Sequence, residues 1–386
     1  MNFDLSDDQE LFRETTRRFI AERCPLSRVR ALESEPAGFD PTWWCQGAEL
    51  GWTAMLVPEE HGGGSVSGDG LLDVMIVAEE MGRLVTPGPF LPTNVVAAAI
   101  AAAGSAEQRR EVLPGIVAGA TVAAWCHAEP GVGWFDERGF LATPVDDGWS
   151  LSGVKSPVEA GAEADLLLVS AMTAAGPTQF LVARDSPGVD VTTRGGIDLT
   201  RRFAEVRFDR VEVPESSVVG RIGDAAEDLA RQLRLAIAIQ SAETVGAADR
   251  VLEFTLDYVA DRHSFGRPLA SYQALKHRFA DMKMWLEASH GLAAALGHAA
   301  QLETSSRDGE EATTRRERAE ELAHAAGSYI GPRATDIIQD CVQMHGGIGV
   351  TWEHDLHLYL RRAALNREMY GTPREHRERV AVLVGM

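Results

Sequence analysis

The chain has 386 residues, of which 45% are hydrophobic and 24% charged, a balance typical of water-soluble globular proteins and a length that allows two or three packed units. Its formal net charge of −20 argues against nucleic acid as a partner, because neutralisation of phosphates by basic groups dominates that affinity. A small anionic ligand is not excluded, since it needs only a local basic patch.

The chain has four widely separated cysteines without a CxxC pair, namely Cys24, Cys45, Cys126 and Cys341. This spacing predicts buried thiols in a reducing compartment, with neither a metal site nor a disulfide framework. The acidic N-terminus lacks the apolar stretch of an export signal, and the apolar run 95–103 is too short to span a bilayer. We therefore expect a cytoplasmic protein without a membrane segment.

Residues 1–118 predict an all-helical N-terminal domain. Residues 6–9 have the capping-box pattern of a helix start, and apolar residues follow at helical spacing. A glycine-rich segment at 50–64 interrupts the pattern before a core helix at 70–81. The prolines of segment 86–92 predict that it is not helical, because proline lacks an amide donor and has a fixed φ.

The periodicity changes near Gly119. Residues 119–222 alternate polar and apolar side chains between turns, which predicts a β-rich middle domain. Residues 223–386 return to helical periodicity with short connections and predict an antiparallel four-helix bundle. The long amphipathic segments of this bundle are Ala225–Ala260, Ser271–Leu302, Thr314–Gln343 and His354–Met369.

The turn between the first two bundle helices suggests a binding site. Gly266 and Pro268 break the helical pattern, and Ser271 is expected to be the N-cap of the next helix. Arg262 would then lie at a helix end, beside a turn with open backbone donors. A guanidinium in this place suits a phosphate group, which it binds through two hydrogen bonds. Taken alone, the pattern also fits an ordinary surface arginine.

Together with residues 343–349 and 370–374, this turn resembles the flavin-binding signatures of the acyl-CoA dehydrogenase family. The motifs occur in the family's order, and the likeness covers essentially the whole chain. The resemblance implies an α+β multidomain fold, with an N-terminal helical domain, a middle β-barrel domain and a C-terminal four-helix bundle. It also implies FAD as the cofactor, contacted at its ADP end by Arg262 and Gln273.

Further cofactor contacts follow from the same resemblance. Gln343, Gly346 and Gly347 match a loop that reaches the FAD bound by a neighbouring subunit, and Thr372 matches a threonine that also touches the cofactor. Glycine suits a place where the backbone must approach a ligand closely. The chain is therefore expected in a homo- or heterotetramer with a related acyl-CoA dehydrogenase chain.

The family's chemistry is implied as well. A glutamate removes the α-proton of an acyl-CoA, a β-hydride passes to the flavin, and the product is a trans-2-enoyl-CoA. The electrons then leave to an electron-transfer flavoprotein. Such a site needs a base near the α-carbon and donors on the thioester carbonyl, where negative charge develops.

The flavin-ring end of the site departs from the family pattern. Ala128 stands where family members have a threonine before Glu-Pro-Gly, and Trp134 and Phe135 replace a Ser-Asp pair. In the Lys-x-Trp-Ile-Thr motif, Pro157 replaces the tryptophan and Glu159 replaces the threonine. A carboxylate that faces a reduced flavin anion would be repelled by it.

The family's usual catalytic base is missing too. Tyr370 occupies the position of the glutamate, and a phenol with a pKa of about 10 is a poor base at neutral pH. A minority of members have a glutamate at the position of Ala236, and the nearest acid on that helix, two turns on among apolar neighbours, is Glu243. Glu243 is thus the candidate base, unless it pairs with an arginine inside the bundle, such as Arg278 or Arg333.

These departures leave three hypotheses. The chain resembles actinobacterial members that act on steroid side chains as α2β2 heterotetramers, in which one of two related chains supplies the base and part of the flavin pocket. It would then be a subunit that acts on a bulky acyl-CoA only with its partner. The alternatives are a self-sufficient homotetrameric dehydrogenase with Glu243 as the base, and a non-catalytic paralogue that serves as a structural or binding module.

Overall fold

The computed structural model of the protein describes residues 5–35, 38–136, 139–304 and 309–386. Helices form the N-terminal and C-terminal parts of the chain, and a mixed β-sheet forms the part between them. The predicted fold class is therefore confirmed. The domain boundaries at 118 and 222 remain predictions.

The described residues of the N-terminal part form six α-helices: α1 (Asp7–Arg23), α2 (Leu26–Leu32), α3 (Pro41–Glu49), α4 (Gly70–Arg83), α5 (Phe90–Ala103) and α6 (Ala106–Val117). The capping box at the start of α1 is present, since the side chains of Ser6 and Gln9 each accept from the other's backbone N–H. The prediction that segment 86–92 is not helical is wrong for its last residues. Helix α5 includes Pro92 in its first turn, where no intrahelical donor is required.

Eight strands make up the central sheet: β1 (Ala123–Cys126), β2 (Leu141–Val145), β3 (Gly148–Glu159), β4 (Leu166–Thr173), β5 (Gly176–Ala183), β6 (Val189–Arg194), β7 (Phe203–Pro214) and β8 (Val218–Val219). The strand order is β6-β7-β3-β2-β4-β5-β8, with β1 parallel to β4. Strands β3 and β7 pair antiparallel over their whole length, so that Glu159 lies opposite Phe203. This register places the loop before β7 next to the end of β3.

Outside residues 305–308, the C-terminal part forms five α-helices: α7 (Ala226–Asp261), α8 (Gln273–Thr304), α9 (Glu310–His345), α10 (Leu356–Asn366) and α11 (Pro373–Leu383). Helices α7, α8 and α9 pack on one another, and α10 packs on α7 and α9. A short hairpin of β9 (His263–Ser264) and β10 (Arg267–Pro268) follows α7. Ser271 is not an N-cap, because α8 begins at Gln273 and the Ser271 hydroxyl donates to the carbonyl of Pro268 at 2.7 Å.

Helices α4 and α7 cross in direct backbone contact. A Cβ atom added to Gly246 of α7 would overlap the carbonyl oxygen of Glu79, and one added to Gly82 of α4 would overlap the carbonyl oxygen of Glu243. Two glycines therefore let the N-terminal part and the bundle approach each other more closely than any side chain would permit. The backbone of Glu243 is fixed by this crossing.

The four cysteines are free thiols, and Cys24, Cys126 and Cys341 are buried as expected, whereas Cys45 is half-buried. In the ranges that the structure describes, no helix is long and apolar enough to cross a membrane. The same ranges contain no group of three or more histidine, cysteine, aspartate or glutamate side chains that could hold a metal ion.

A buried pair of histidines fastens α11 to α9. The Nδ1 atoms of His324 and His376 lie 3.0 Å apart, and the ring of Phe135 packs edge-on against both imidazoles. Burial lowers the pKa of His324 to about 3, helped by the neighbouring His376, and burial lowers the pKa of His376 to about 4. Both rings are therefore neutral at pH 7.

This pair makes the protein sensitive to acid. An unfolded histidine takes up a proton near pH 6.5, whereas His376 in the folded chain does so only near pH 4. Unfolding is therefore favoured as the pH falls from 6.5 to 4, by on the order of 3 kcal/mol for His376. Urea unfolding across this range should show that His376→Asn reduces the pH slope, while the exposed control His263→Asn leaves it unchanged.

Candidate active site

The loops predicted to bind the ADP end of the cofactor are exposed to solvent. Arg262 directly follows α7, its side chain is exposed, and its guanidinium has no acidic partner in the described ranges. Gln273, the first residue of α8, is also exposed across the hairpin. The hairpin is anchored by its backbone, since the N–H of Leu269 donates to the carbonyl of Arg262 at 2.8 Å.

The second predicted loop lies at the same end of the bundle. Gln343, Gly346 and Gly347 are exposed at the end of α9, and a Cβ on either glycine would meet nothing within 4 Å. The ring of Tyr258, one turn before Arg262, stacks on His345 at 4.2 Å, and its hydroxyl donates to the carbonyl of His345. The structure thus brings the two loops together on one open surface.

Thr372 has a structural role. It is the N-cap of α11, where its hydroxyl accepts from the N–H of Glu375 at 3.2 Å and the Glu375 carboxylate accepts from the N–H of Thr372 at 2.8 Å. This capping box holds the chain that follows Tyr370. Its contact with the cofactor remains a prediction.

Aromatic side chains fill the space around the usual base position. Tyr370 is buried, with its ring centroid 5.0 Å from that of Trp134 and 6.2 Å from that of Trp125, which in turn stacks on His127 at 4.8 Å. Burial raises the pKa of Tyr370 well above its ordinary value, and the nearby carboxylate of Glu159 raises it further. This phenol therefore cannot act as a general base at neutral pH.

Five ionic side chains near Tyr370 are joined by ion pairs, and we call them the charge cluster: Glu159, Asp198, Arg201, Glu243 and Arg362. Four of them are buried, and the side chain of Glu243 is 14% exposed. Arg201 binds the carboxylate of Glu159 with two nitrogens, one of them at 2.7 Å, and approaches Glu243 at 3.6 Å. Arg362 binds both Glu243 and Asp198. Glu159, expected to face a flavin, thus faces an arginine.

Glu243 is held by donors on every side. Its carboxylate binds Arg362, lies 3.6 Å from Arg201 and accepts from the side-chain amide of Asn366 at 3.0 Å. The prediction that it is a catalytic base remains a prediction, although ion pairing with two guanidiniums favours a structural role. The pairing partners suggested from the sequence were wrong, because Arg278 pairs with Asp340 and Arg333 with Asp336.

Little free volume remains at this end of the site. Glu159, Arg201 and Glu243 line a cavity of about 20 Å³, space for little more than one water. Pockets for organic ligands measure roughly 300–1,000 Å³. The residues present therefore fit the nucleotide end of FAD, on the open loops, but the space around Glu159, Arg201 and Glu243 does not fit its ring.

Residues at the positions where family members surround the flavin ring have structural roles in this chain. The Lys155 ammonium is fully buried, where it binds the carboxylate of Glu129 at 2.8 Å and lies over the ring of Phe140. Ala128, which stands where the flavin-contacting threonine would be, accepts from the N–H of Ser156 through its carbonyl at 2.9 Å. The framework of the flavin-ring pocket is therefore present, while the chain's own side chains fill its volume.

Asp198, Arg201 and Arg362 are site residues that sequence reasoning missed. One signal was available for Arg362, which follows Leu358 by four residues and Tyr359 by three and so lies on the apolar face of α10. A charged residue in that position predicts a buried partner. No comparable signal marks Asp198 and Arg201, which lie in the loop before β7.

Comparison with known proteins gives the same family throughout. Residues 6–120 match the model of the acyl-CoA dehydrogenase N-terminal domain, and residues 225–384 match that of the C-terminal domain. The acyl-CoA dehydrogenase IpdE2 of Mycolicibacterium smegmatis is 30% identical over 380 residues, which cover 97% of this chain and 98% of the relative.

Two solved structures, each named for two chains, are similar over nearly the whole length of this chain. The Tcur3481-Tcur3483 steroid acyl-CoA dehydrogenase has a TM-score of 0.85 and 29% identity, and covers 98% of both chains. The ChsE4-ChsE5 complex of Mycobacterium tuberculosis has a TM-score of 0.85 and 25% identity, with full coverage of both. Other solved structures of this fold contain FAD or its reduced form. The chain belongs to the acyl-CoA dehydrogenase family, a family of FAD-dependent oxidoreductases.

Proposed function

We propose that this chain is one of two different subunits of an acyl-CoA dehydrogenase that converts a bulky, steroid-derived acyl-CoA to its trans-2-enoyl-CoA and passes the electrons to an electron-transfer flavoprotein. The proposal rests on a contrast between the nucleotide end and the ring end of the flavin site. The loops for the nucleotide end of FAD are open and lack competing ion pairs, whereas the volume for the ring and the base is filled by the chain's own side chains.

The similar proteins support the assembly and the substrate class. The Tcur3481-Tcur3483 enzyme is a steroid acyl-CoA dehydrogenase of two chains, and the ChsE4-ChsE5 complex also pairs two chains. A family member that lacks a ring pocket can still contribute to catalysis if a related partner provides that pocket. We propose the cytoplasm as its location, because free thiols such as these four cysteines persist in a reducing compartment.

In such an assembly, this chain contributes its nucleotide loops to a flavin whose ring lies in the partner. Arg262 would bind the pyrophosphate, and Gln273, Gln343, Gly346 and Gly347 would contact the adenosine side. The exposed glycines allow the backbone to approach the ligand directly. The partner would supply the catalytic base and the pocket for the flavin ring.

Co-purification with a related acyl-CoA dehydrogenase chain tests this function. We expect the chain produced alone to be colourless and inactive, and the complex with a partner that keeps the Thr-Glu-Pro-Gly and Trp-Ile-Thr motifs to be yellow. The complex should contain one FAD for every two chains. Full FAD occupancy with turnover by the lone chain would refute the proposal and favour the homotetrameric alternative. A colourless complex would favour the non-catalytic alternative.

Loss of the Arg262 guanidinium should weaken FAD retention by the complex. An ionic hydrogen bond to a phosphate contributes about 1.5–3 kcal/mol, so Arg262→Gln is expected to raise the dissociation constant of FAD by roughly 10- to 150-fold. Fluorescence of released FAD during dilution measures this change. The control Arg210→Gln replaces an exposed arginine of the middle sheet and should have no effect. An equal loss in both variants would contradict the assignment.

A further inference from the structure

The charge cluster connects all three parts of the chain. Glu159 ends β3, Asp198 and Arg201 belong to the loop before β7, Glu243 lies in the middle of α7, and Arg362 lies in α10. Through Arg362, the cluster also reaches the carbonyls of residues 85 and 86, which follow α4, at 3.5 and 3.4 Å. The central sheet, the bundle and the N-terminal helices therefore meet at these side chains.

The hydrogen bonds of the cluster are nearly all satisfied. Arg362 uses its three nitrogens on Asp198, Glu243 and the hydroxyl of Thr200, the last at 2.5 Å. Arg201 donates to Glu159 and, at 2.8 Å, to the side-chain oxygen of Asn366. A buried ionic network stabilises a fold only when its members are satisfied in this way. The cluster is thus a hydrogen-bonded network and not a set of unpaired charges around an empty pocket.

The cluster also extends to the position of the missing base. The side-chain amide of Gln240 donates to the carbonyls of Asn366 and Met369 at 2.8 and 3.2 Å, which fixes the turn that carries Tyr370. The hydroxyl of Tyr370 lies 3.4 Å from the carboxylate of Glu159. One continuous set of contacts therefore runs from α7 to the aromatic rings that occupy the site.

The charges of the cluster disfavour a flavin. Its three carboxylates outnumber its two guanidiniums, so the cluster carries a net charge of −1 when all five are ionised. Burial alone would raise the pKa of Asp198, but Arg362 and the donors of Thr200 lower it, so this carboxylate is ionised at neutral pH. An anionic reduced flavin placed beside this group would be repelled.

We propose that the charge cluster replaces the flavin ring in this chain: it closes the ring pocket to any flavin and joins the three parts of the fold without a cofactor. The proposal goes beyond the proposed function, because it concerns the lone chain whether or not a partner exists. It also makes Glu243 a structural residue and not a base.

Thermal unfolding of the lone chain tests this role. Glu159→Gln leaves the Arg201 guanidinium buried beside a neutral amide and should lower Tm by roughly 5–15 °C. The matched control Glu205→Gln breaks an exposed pair with Arg194 in the same sheet and should change Tm by less than about 2 °C. A large excess of FAD should raise the Tm of the unmodified chain by no more than the same concentration of ADP, which has the nucleotide end without the ring.

A double variant separates pairing from general disruption. Glu159→Gln combined with Arg201→Met removes both charges, so its loss in Tm should be smaller than the sum of the losses of the two single variants. If Glu159→Gln is insoluble, a soluble double variant supports the same conclusion. Additive losses, or a Glu159→Gln variant no less stable than the Glu205→Gln control, would overturn the proposal. A rise in Tm with FAD that exceeds the rise with ADP by several degrees would overturn it independently.

Discussion

Replacing Arg362 with methionine is expected to be the most damaging single change in this protein. Arg362 has no solvent-exposed surface, and it is the shared partner of Asp198 and Glu243, two carboxylates on different parts of the chain. Its removal leaves both negative charges facing each other in the interior. Loss of one partner from a buried ion pair costs about 3–5 kcal/mol, and here two pairs are lost, which approaches the whole stability of an average domain.

The neighbouring arginine provides a matched control. Arg361 is more exposed and donates to the carbonyl of Ile197 at 3.1 Å, a surface contact worth at most about 1 kcal/mol. We expect Arg362→Met to accumulate as insoluble protein and Arg361→Met to purify normally, with urea unfolding close to that of the unmodified chain. If both variants unfold at the same urea concentration, the central role of Arg362 is wrong.

The second large loss of stability is expected from a substitution at the crossing of α4 and α7. Gly246→Ala places a methyl group inside the contact distance of the Glu79 carbonyl, so the two helices must move apart. Overpacking of a rigid interior contact costs typically 1–3 kcal/mol, and a contact with backbone lies at the upper end because no side chain can rotate away. The unfolding free energy should fall by about 3 kcal/mol, measured by urea denaturation.

A glycine-to-alanine substitution on α8, by contrast, should not lower the free energy of unfolding. A Cβ on Gly291 meets nothing within 4 Å, and alanine is favoured over glycine inside a helix by up to about 1 kcal/mol. Gly291→Ala should therefore be neutral or stabilising. Destabilisation of similar size in both variants would mean that the crossing contact does not limit the approach of α4 and α7.

Periodicity and local signals predicted most of the architecture. The helical segments, the β-rich middle and the capping box at Ser6 follow from patterns within about 20 residues, the range over which side-chain spacing and turn chemistry act. The wrong predictions concern single turns and helix ends. Ser271 lies in a turn before α8, and Pro92 is tolerated because it falls in the first turn of α5. The predicted last helix, His354–Met369, corresponds to α10 (Leu356–Asn366), and α11 follows Tyr370 as a helix that was not predicted.

The sequence could show what was missing from the site but not what had replaced it. The positions of Ala128, Pro157 and Tyr370 indicate the loss of family residues without any knowledge of the fold. The partners of Glu243 and Glu159 depend on pairing between segments far apart in sequence. Arg362 follows Glu243 by 119 residues, and Arg201 is brought to Glu159 only by the register of β3 and β7. Such long-range pairing has no signature in one sequence.

The interdependence of the five cluster residues limits how the protein can evolve. Each of them shares a partner with another member, so a substitution at one changes the charge balance around the others. Opening a flavin-ring pocket here would therefore require several of these residues to change together, and a single substitution would lower stability before it made room for a ligand.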